Sequence, residues 1–214
     1  IETPALASLA QDGILFTAPF AQASWTKPSF ATIFSGRYPE SHTATSKNAG
    51  LPEEVTTFAE VFSEHGYYAK GFANNPNITG ALNFGQGFTD YVDLRPNLYF
   101  FAQPSASRLT GYDGLRKVWN LVAKRLGGRM NVKRFYQPAD VVTEQALAWL
   151  DGPERPEDAP FILFLHYMDP HDPFMNHDNP GEGYARAQMA DPDPDEFLEK
   201  MRHAYYTEIE YMDT

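Results

Sequence analysis

Apolar positions along this chain alternate between helical spacing and short continuous runs, which predicts an α/β fold. Pro4 to Gln11 has the helical pattern and stops at Asp12-Gly13. Ile14 to Ala18 reads as a short strand. A loop then turns into a helix at Thr26. Pro28 suits the first helical positions, where its missing N–H has no intrahelical partner to lose; Ala31 to Phe34 continue the turn, and Gly36 can end it. Thr43 to Leu51 is polar, with Asn48 and Gly50, and reads as loop. Pro52-Glu53-Glu54 reads as the start of a helix through Glu64, with Val55, Phe58, Ala59 and Phe62 on one face and His65-Gly66 as its stop. Tyr67 to Ala73 predicts a strand, and Asn74-Asn75-Pro76-Asn77 a loop.

Residues 96–134 interrupt the alternation. They are rich in aromatic and basic residues, including Arg116, Lys117, Lys124, Arg125, Arg129, Lys133 and Arg134, and read as an insertion or helical excursion. These charges fit a solvated helix face, or contact with an anionic substrate or lipid headgroup. Pro138-Ala139-Asp140 opens a helix through Leu150. Phe161 to Leu165 is continuously apolar and predicts a central parallel strand buried on both faces. His166 to Phe174 then lies at the carboxyl end of that strand, where open α/β sheets bind ligands. Gly181 to Asp195, rich in Pro and Asp, reads as mobile, and Phe197 to Tyr211 as a final helix. There is no internal repeat and no Gly-rich phosphate loop.

Composition narrows the picture modestly. The 214 residues, 43% hydrophobic, suffice for one domain with a real core. A net charge of −11 argues against a nucleic-acid-binding surface. The absence of cysteine excludes disulfide and thiol chemistry but does not fix a compartment. No apolar run is long enough to cross a bilayer, and no signal peptide is visible. Ile1 is not a start residue, so an N-terminal portion is expected to be missing.

Thr26 is the leading chemical candidate. A hydroxyl at a helix N-terminus sits in a positive field beside free backbone N–H groups, which suits an attacking oxygen and a bound oxyanion. The competing reading is an N-cap threonine. Lys27, beside it, can lower the hydroxyl's pKa or hold an anionic oxygen, or can be a solvent-facing lysine on the first turn. In Asp169-Pro170-His171-Asp172-Pro173 two prolines stiffen a loop in which two carboxylates flank an imidazole. His166 reads as a structural residue or a residue one shell out from the chemistry, and Asn75 as an oxyanion donor or a turn residue. His42, His65, His177 and His203 read as surface residues.

Thr26-Lys27-Pro28-Ser29-Phe30, continued by Ser35-Gly36-Arg37-Tyr38-Pro39, resembles the Cys/Ser-x-Pro-x-Arg pentapeptide and following helix of the sulfatases, in the alkaline-phosphatase superfamily. Other blocks match in order. They are Thr3-Pro4-Ala5-Leu6 through Gly13-Ile14-Leu15-Phe16, Phe58-Ala59-Glu60-Val61-Phe62 with Gly66-Tyr67, Gly85 to Tyr91, Phe164 to Phe174, and Tyr205 to Asp213. The resemblance implies an alkaline-phosphatase-like, mixed, mostly parallel sheet flanked by helices. Residues 1–214 would form part of one catalytic domain, lacking the first metal-binding strand and the C-terminal portion, with 96–134 as an insertion. It also turns Thr26 from cap to nucleophile.

Three departures shape the expected chemistry. The family's oxidised Cys or Ser is Thr26, and oxidising a secondary alcohol gives a ketone, so no formylglycine is expected. The family's Arg is Phe30. The Lys-x-His motif that follows the family's strand is absent after Asn74-Asn75. Within the superfamily, unmodified Thr nucleophiles belong to phosphodiesterases, phosphonate hydrolases and phosphoglycerol transferases, which pass through a phosphothreonine. The resemblance therefore implies a hydrolase of sulfate or phosphate/phosphonate esters, the phosphoester favoured, with Thr26, His171 and Lys27 catalytic and His166 and Asn75 against substrate. His171 takes the role of stabilising charge or protonating the leaving oxygen. A divalent ion (Ca, Zn, Mn or Mg) is expected, with Thr26 as one ligand and most others outside this chain, so that the chain alone is inactive. The implied substrate is an anionic ester of a small molecule, lipid or glycan. The implied compartment is periplasmic, membrane-associated or extracellular. A phospho-group transferase and a non-catalytic binding module on the same scaffold are the alternatives.

Overall fold

The structure, a computed structural model, describes residues 1–94, 136–171, 174–175, 183–184 and 194–214, together with Gly111, Gly114, Leu115, Val118, Trp119 and Val122, which are helical. The insertion expected over 96–134 and the segment from Gly181 to Asp195 otherwise lie outside the described residues. The described elements are α1 (Pro4–Asp12), α2 (Thr26–Ser35), α3 (Pro39–His42), α4 (Phe58–Glu64), β1 (Tyr68–Ala73), β2 (Asp90–Asp93), α5 (Ala139–Leu150), β3 (Phe161–Leu165), β4 (Phe174–Met175), β5 (Gly183–Tyr184) and α6 (Pro194–Asp213). Among them no helix is long and apolar enough to cross a membrane.

The chain divides into two compact units. One comprises residues 16–95 and 140–167 and holds a parallel sheet of order β2-β1-β3. The register sets Lys70 opposite Asp90 on one side and Leu163 on the other. Side chains alternate across the sheet, so each strand feeds two cores. Ala73 and Phe164 join Ala31, Phe34, Leu51, Val55, Ile78 and Phe84 beneath α2 and α4. Phe72, Leu163 and Leu165 pack with Val142, Ala146 and Trp149 of α5 on the opposite face. The Lys70 ammonium pairs with Asp90 and lies 4.9 Å from the Phe72 ring centroid, so a charge in the middle of a buried strand is paired and covered.

The other unit comprises residues 1–15, 96–139 and 168–214. Here the N–H groups of Ala5 and Leu6, orphans at the start of α1, donate to the carboxylate of Asp213 at 2.8 and 2.9 Å. Tyr136, Asp169 and Glu208 are buried in this unit, and the Asp169 carboxylate accepts from the Ala139 N–H at 3.1 Å. Burial, with Glu208 and Asp169 nearby, pushes the Tyr136 phenol's pKa upward.

Several expectations are corrected. Ile14 to Ala18 is not a strand; Ile14, Leu15 and Phe16 are 85%, 69% and 75% exposed and no described strand lies alongside to take their backbone bonds. The helix expected from Pro52 begins at Phe58, because Thr57 forms a capping box: its hydroxyl accepts from Glu60 N–H while the Glu60 carboxylate accepts from Thr57 N–H. β3 is not the central strand of the described sheet. β1 is, with residues 69–73 all buried, whereas β3 lies at the edge and is half-buried. β2 and the four-residue α3 add to the expected elements.

Candidate active site

Thr26 is the first residue of α2, and Trp25 occupies the N-cap position with extended backbone and no side-chain cap bond. The helix closes as its sequence predicts, on Gly36 in the left-handed region (φ 66°), whose N–H donates to Thr32 O at 2.7 Å. Thr26 is therefore not spent as a cap. Thr26 is half-buried, and its hydroxyl makes no hydrogen bond among the described residues.

The aromatic side chains of α2 determine where that hydroxyl stands. Phe34 is 1% exposed and meets Phe164 of β3 edge-on at 5.0 Å between centroids. Phe30 meets Phe164 at 6.0 Å and the His166 imidazole at 4.9 Å. His166 is buried directly after β3, its N–H bonded to Phe72 O at 3.0 Å. Asn74 and Asn75, also buried, follow the neighbouring strand β1. Through Phe30, α2 thus packs against the residue that follows β3, and Thr26 lies one turn earlier on the same helix face. Asn75 uses its side-chain oxygen to accept from Asn77 N–H at 2.9 Å, an Asx turn that orients the loop. His171 lies in the other unit, exposed, its N–H closing a turn onto Met168 O at 2.8 Å.

Lys27 is fully buried, not solvent-facing. Its ammonium donates to three backbone carbonyls, Ser46 O at 3.0 Å, Lys47 O at 2.6 Å and Ala49 O at 2.7 Å. All three protons are taken, so it presents none to a bound anion. Burial pulls its pKa below the usual 10.5. Sequence patterning missed this cage, since nothing local marks three carbonyls about twenty residues downstream as acceptors. His42 is likewise buried and not on the surface; Ala44 N–H donates to its Nδ1 at 3.1 Å and its Nε2 lies 3.2 Å from the Thr32 hydroxyl. Nδ1 accepts, so the ring is neutral with its proton on Nε2, and burial lowers its pKa from 6.5. His65 and His203 are exposed as expected, and His177 lies outside the described residues.

Among the described residues no group of three or more His, Cys, Asp or Glu side chains converges.

The family model described as Sulfatase matches residues 1–214. Two curated relatives come from Escherichia coli strain K12. The uncharacterized sulfatase YdeN is 25% identical over 202 residues, 87% of this chain and 34% of YdeN. The uncharacterized sulfatase YidJ is 24% identical over 212 residues, 96% of this chain and 37% of YidJ. Among solved structures, BT4656 in complex with its substrate D-glucosamine-2-N,6-O-disulfate superposes with a TM-score of 0.53 at 19% identity, covering 82% of this chain and 31% of that one. Ps i-CgsB superposes with a TM-score of 0.50 at 19% identity, covering 98% of this chain and 48% of that one. The chain spans about a third of the length of the curated relatives it matches.

Proposed function

The chain belongs to the sulfatase family, and on that premise we propose that it carries the nucleophile of an ester hydrolase, Thr26, which attacks the phosphorus of an anionic ester in line. The observation that carries this is Thr26: first residue of α2, half-buried, free of any capping bond, on the helix whose Phe30 ring contacts His166 directly after β3 of a parallel sheet. The attack forms a bond from the Thr26 oxygen to phosphorus as the ester's alkoxide departs, and a proton passes from the hydroxyl to the leaving group through solvent. Water then cleaves the phosphothreonine and regenerates the alcohol. The first-turn N–H groups of α2 and the Asn75 amide stabilise the non-bridging oxygens as charge builds, and His166 lines the same edge. A phosphorus ester is favoured over a sulfate ester because threonine attacks unmodified. Sulfatases generally use a divalent metal, and we place the ligands for it, apart from Thr26, outside the described residues. Family members are often secreted or periplasmic, and we extend that compartment to this protein.

The test uses the full coding sequence with p-nitrophenyl phosphate, an aryl phosphonate ester and p-nitrophenyl sulfate. Thr26→Ala is expected to abolish turnover and Thr26→Ser to retain part of it. Acid-quenched enzyme is expected to carry a phosphoryl group on the peptide containing Thr26. Turnover that survives Thr26→Ala would sink the assignment. Preference for the sulfate ester, or for a sulfated glucosamine of the kind BT4656 binds, would move the substrate class from phosphate to sulfate.

A further inference from the structure

Lys27 poses a question the nucleophile alone does not answer. It is 0% exposed, adjacent to Thr26, and has no ion-pair partner among the described residues. A buried ammonium without a carboxylate is costly unless dipoles replace its water shell. Here they do: three carbonyl oxygens, from Ser46, Lys47 and Ala49, surround Nζ at 2.6 to 3.0 Å. A neutral amine has only two protons and could not satisfy all three, so the cage selects the charged form. The loop it grips is otherwise thinly held. Thr45, Ser46, Lys47 and Asn48 are exposed, and among the described residues their backbone has two short turn bonds, Thr45 N–H to Thr43 O at 2.8 Å and Ala49 N–H to Ser46 O at 3.2 Å.

We propose that Lys27 is a positioning residue that clamps the loop 46–49 to the first turn of α2 and so fixes the Thr26 hydroxyl for attack. The proposal rests on the nucleophile reading and deepens it. The geometry separates two roles that a lysine beside a nucleophile can play. A lysine that binds the anion turns its protons toward the ligand. This one turns all three away, into the protein, and leaves only its charge near Thr26. Removing it leaves the Lys47 and Ala49 carbonyls without this donor and Ser46 O with only the Ala49 N–H, and frees the loop. The expected consequence is a misplaced nucleophile with anion binding intact.

The experiment compares Lys27→Met, which keeps the unbranched stem, and the shorter but still donating Lys27→Gln with the parent, all expressed from the full coding sequence and checked for folding by circular dichroism. Three quantities are read: hydrogen exchange across residues 45–51, affinity for inorganic phosphate by calorimetry, and kcat and KM for whichever aryl ester the parent hydrolyses. The expected result is faster exchange at the Ala49 amide, phosphate affinity within about twofold, and kcat lower by roughly a hundredfold at nearly constant KM, the signature of lost orientation. The glutamine, which still offers two N–H donors, should restore part of both exchange protection and kcat. A tenfold or greater loss of phosphate affinity would overturn the proposal by making the ammonium an anion ligand. Unchanged exchange in either folded variant, or unchanged kcat, would overturn it equally. Failure of the nucleophile reading shows elsewhere, as turnover surviving in Thr26→Ala, and the exchange measurement still reports on the clamp.

Discussion

Replacing Phe34 tests how α2 is held, and hence how the candidate nucleophile is held. The ring is 1% exposed and sits at the centre of an aromatic cluster. It meets Phe58, Phe84, Phe164 and Phe30 edge-on, with centroids 5.0, 5.7, 5.0 and 6.3 Å away, and Phe88 at a tilt at 5.8 Å. Truncation to alanine in such a setting costs about 3–5 kcal/mol, because rigid neighbours on all sides cannot collapse into the space. Edge-on ring pairs add about 0.5–1.5 kcal/mol each beyond area, but they share one ring and do not sum. The expectation for Phe34→Ala is therefore near the upper end, about 4–5 kcal/mol. Phe34→Leu keeps most of the apolar volume and loses the ring pairs, so about 1–2 kcal/mol is expected.

Urea unfolding of the full-length protein, followed by tryptophan fluorescence, gives both values from the shift in midpoint at constant slope. The order matters more than the sizes. If Phe34→Leu costs nothing, the aromatic geometry contributes nothing; if it costs as much as Phe34→Ala, the filled volume contributes nothing beyond the ring pairs. If Phe34→Ala costs under about 1.5 kcal/mol, the ring is not the anchor of α2, and the argument that packing on β3 positions Thr26 fails. Because the ring lies two turns from Thr26, Phe34→Ala should also reduce kcat by more than Phe34→Leu does.

Two further outcomes follow from other parts of the same unit. Gly87 has φ +82°, and a Cβ there would meet Glu60 at its amide nitrogen, at Cγ (2.5 Å) and at Cα (2.7 Å), so Gly87→Ala should cost about 3 kcal/mol or more in urea unfolding; a change under about 1 kcal/mol would show that the loop yields freely. His42 is neutral when folded and its pKa is lowered, so the unfolded chain takes up a proton first. Its contribution is complete above pH 6.5 and is lost as pH falls from there toward the lowered folded value, a slope that His42→Gln should remove and that, if unchanged in the variant, refutes the assignment.

What the sequence made legible were elements whose punctuation is local. The α2 helix was readable because Pro28 and Gly36 are one-residue signals with fixed steric meaning. The end of α4 at His65-Gly66 was readable for the same reason, Gly66 having φ +82°. Its start was misread because acidic residues at 53 and 54 were weighed above Thr57-x-x-Glu60, although the capping box satisfies two orphan N–H groups and a first-turn charge satisfies none. The run at Ile14 is a different failure. Apolarity says that a segment needs covering but not whether a strand lies beside it to complete its backbone bonds. Lys27 and His42 were misplaced because burial of a polar side chain depends on acceptors brought in from elsewhere, here carbonyls 19 to 22 residues away and the hydroxyl of Thr32.

The three departures from the family pattern make one physical argument once the packing is known. An arginine at position 30 would put a guanidinium where the Phe30 ring now contacts Phe34, Phe164 and His166. Such a cation would need acceptors that this aromatic wall does not offer. The ring instead presses α2 onto the strand edge, and positive charge enters one residue after Thr26, on Lys27, enclosed by carbonyls. Charge beside the candidate nucleophile is thus supplied from inside the protein rather than from the substrate-facing side. The chain after Asn74-Asn75, which lacks the family's Lys-x-His, points the same way. On the proposed function, a site arranged like this would bind its anion through N–H dipoles and through groups that the remaining two-thirds of a full-length relative supplies, keeping its fixed cation for orientation.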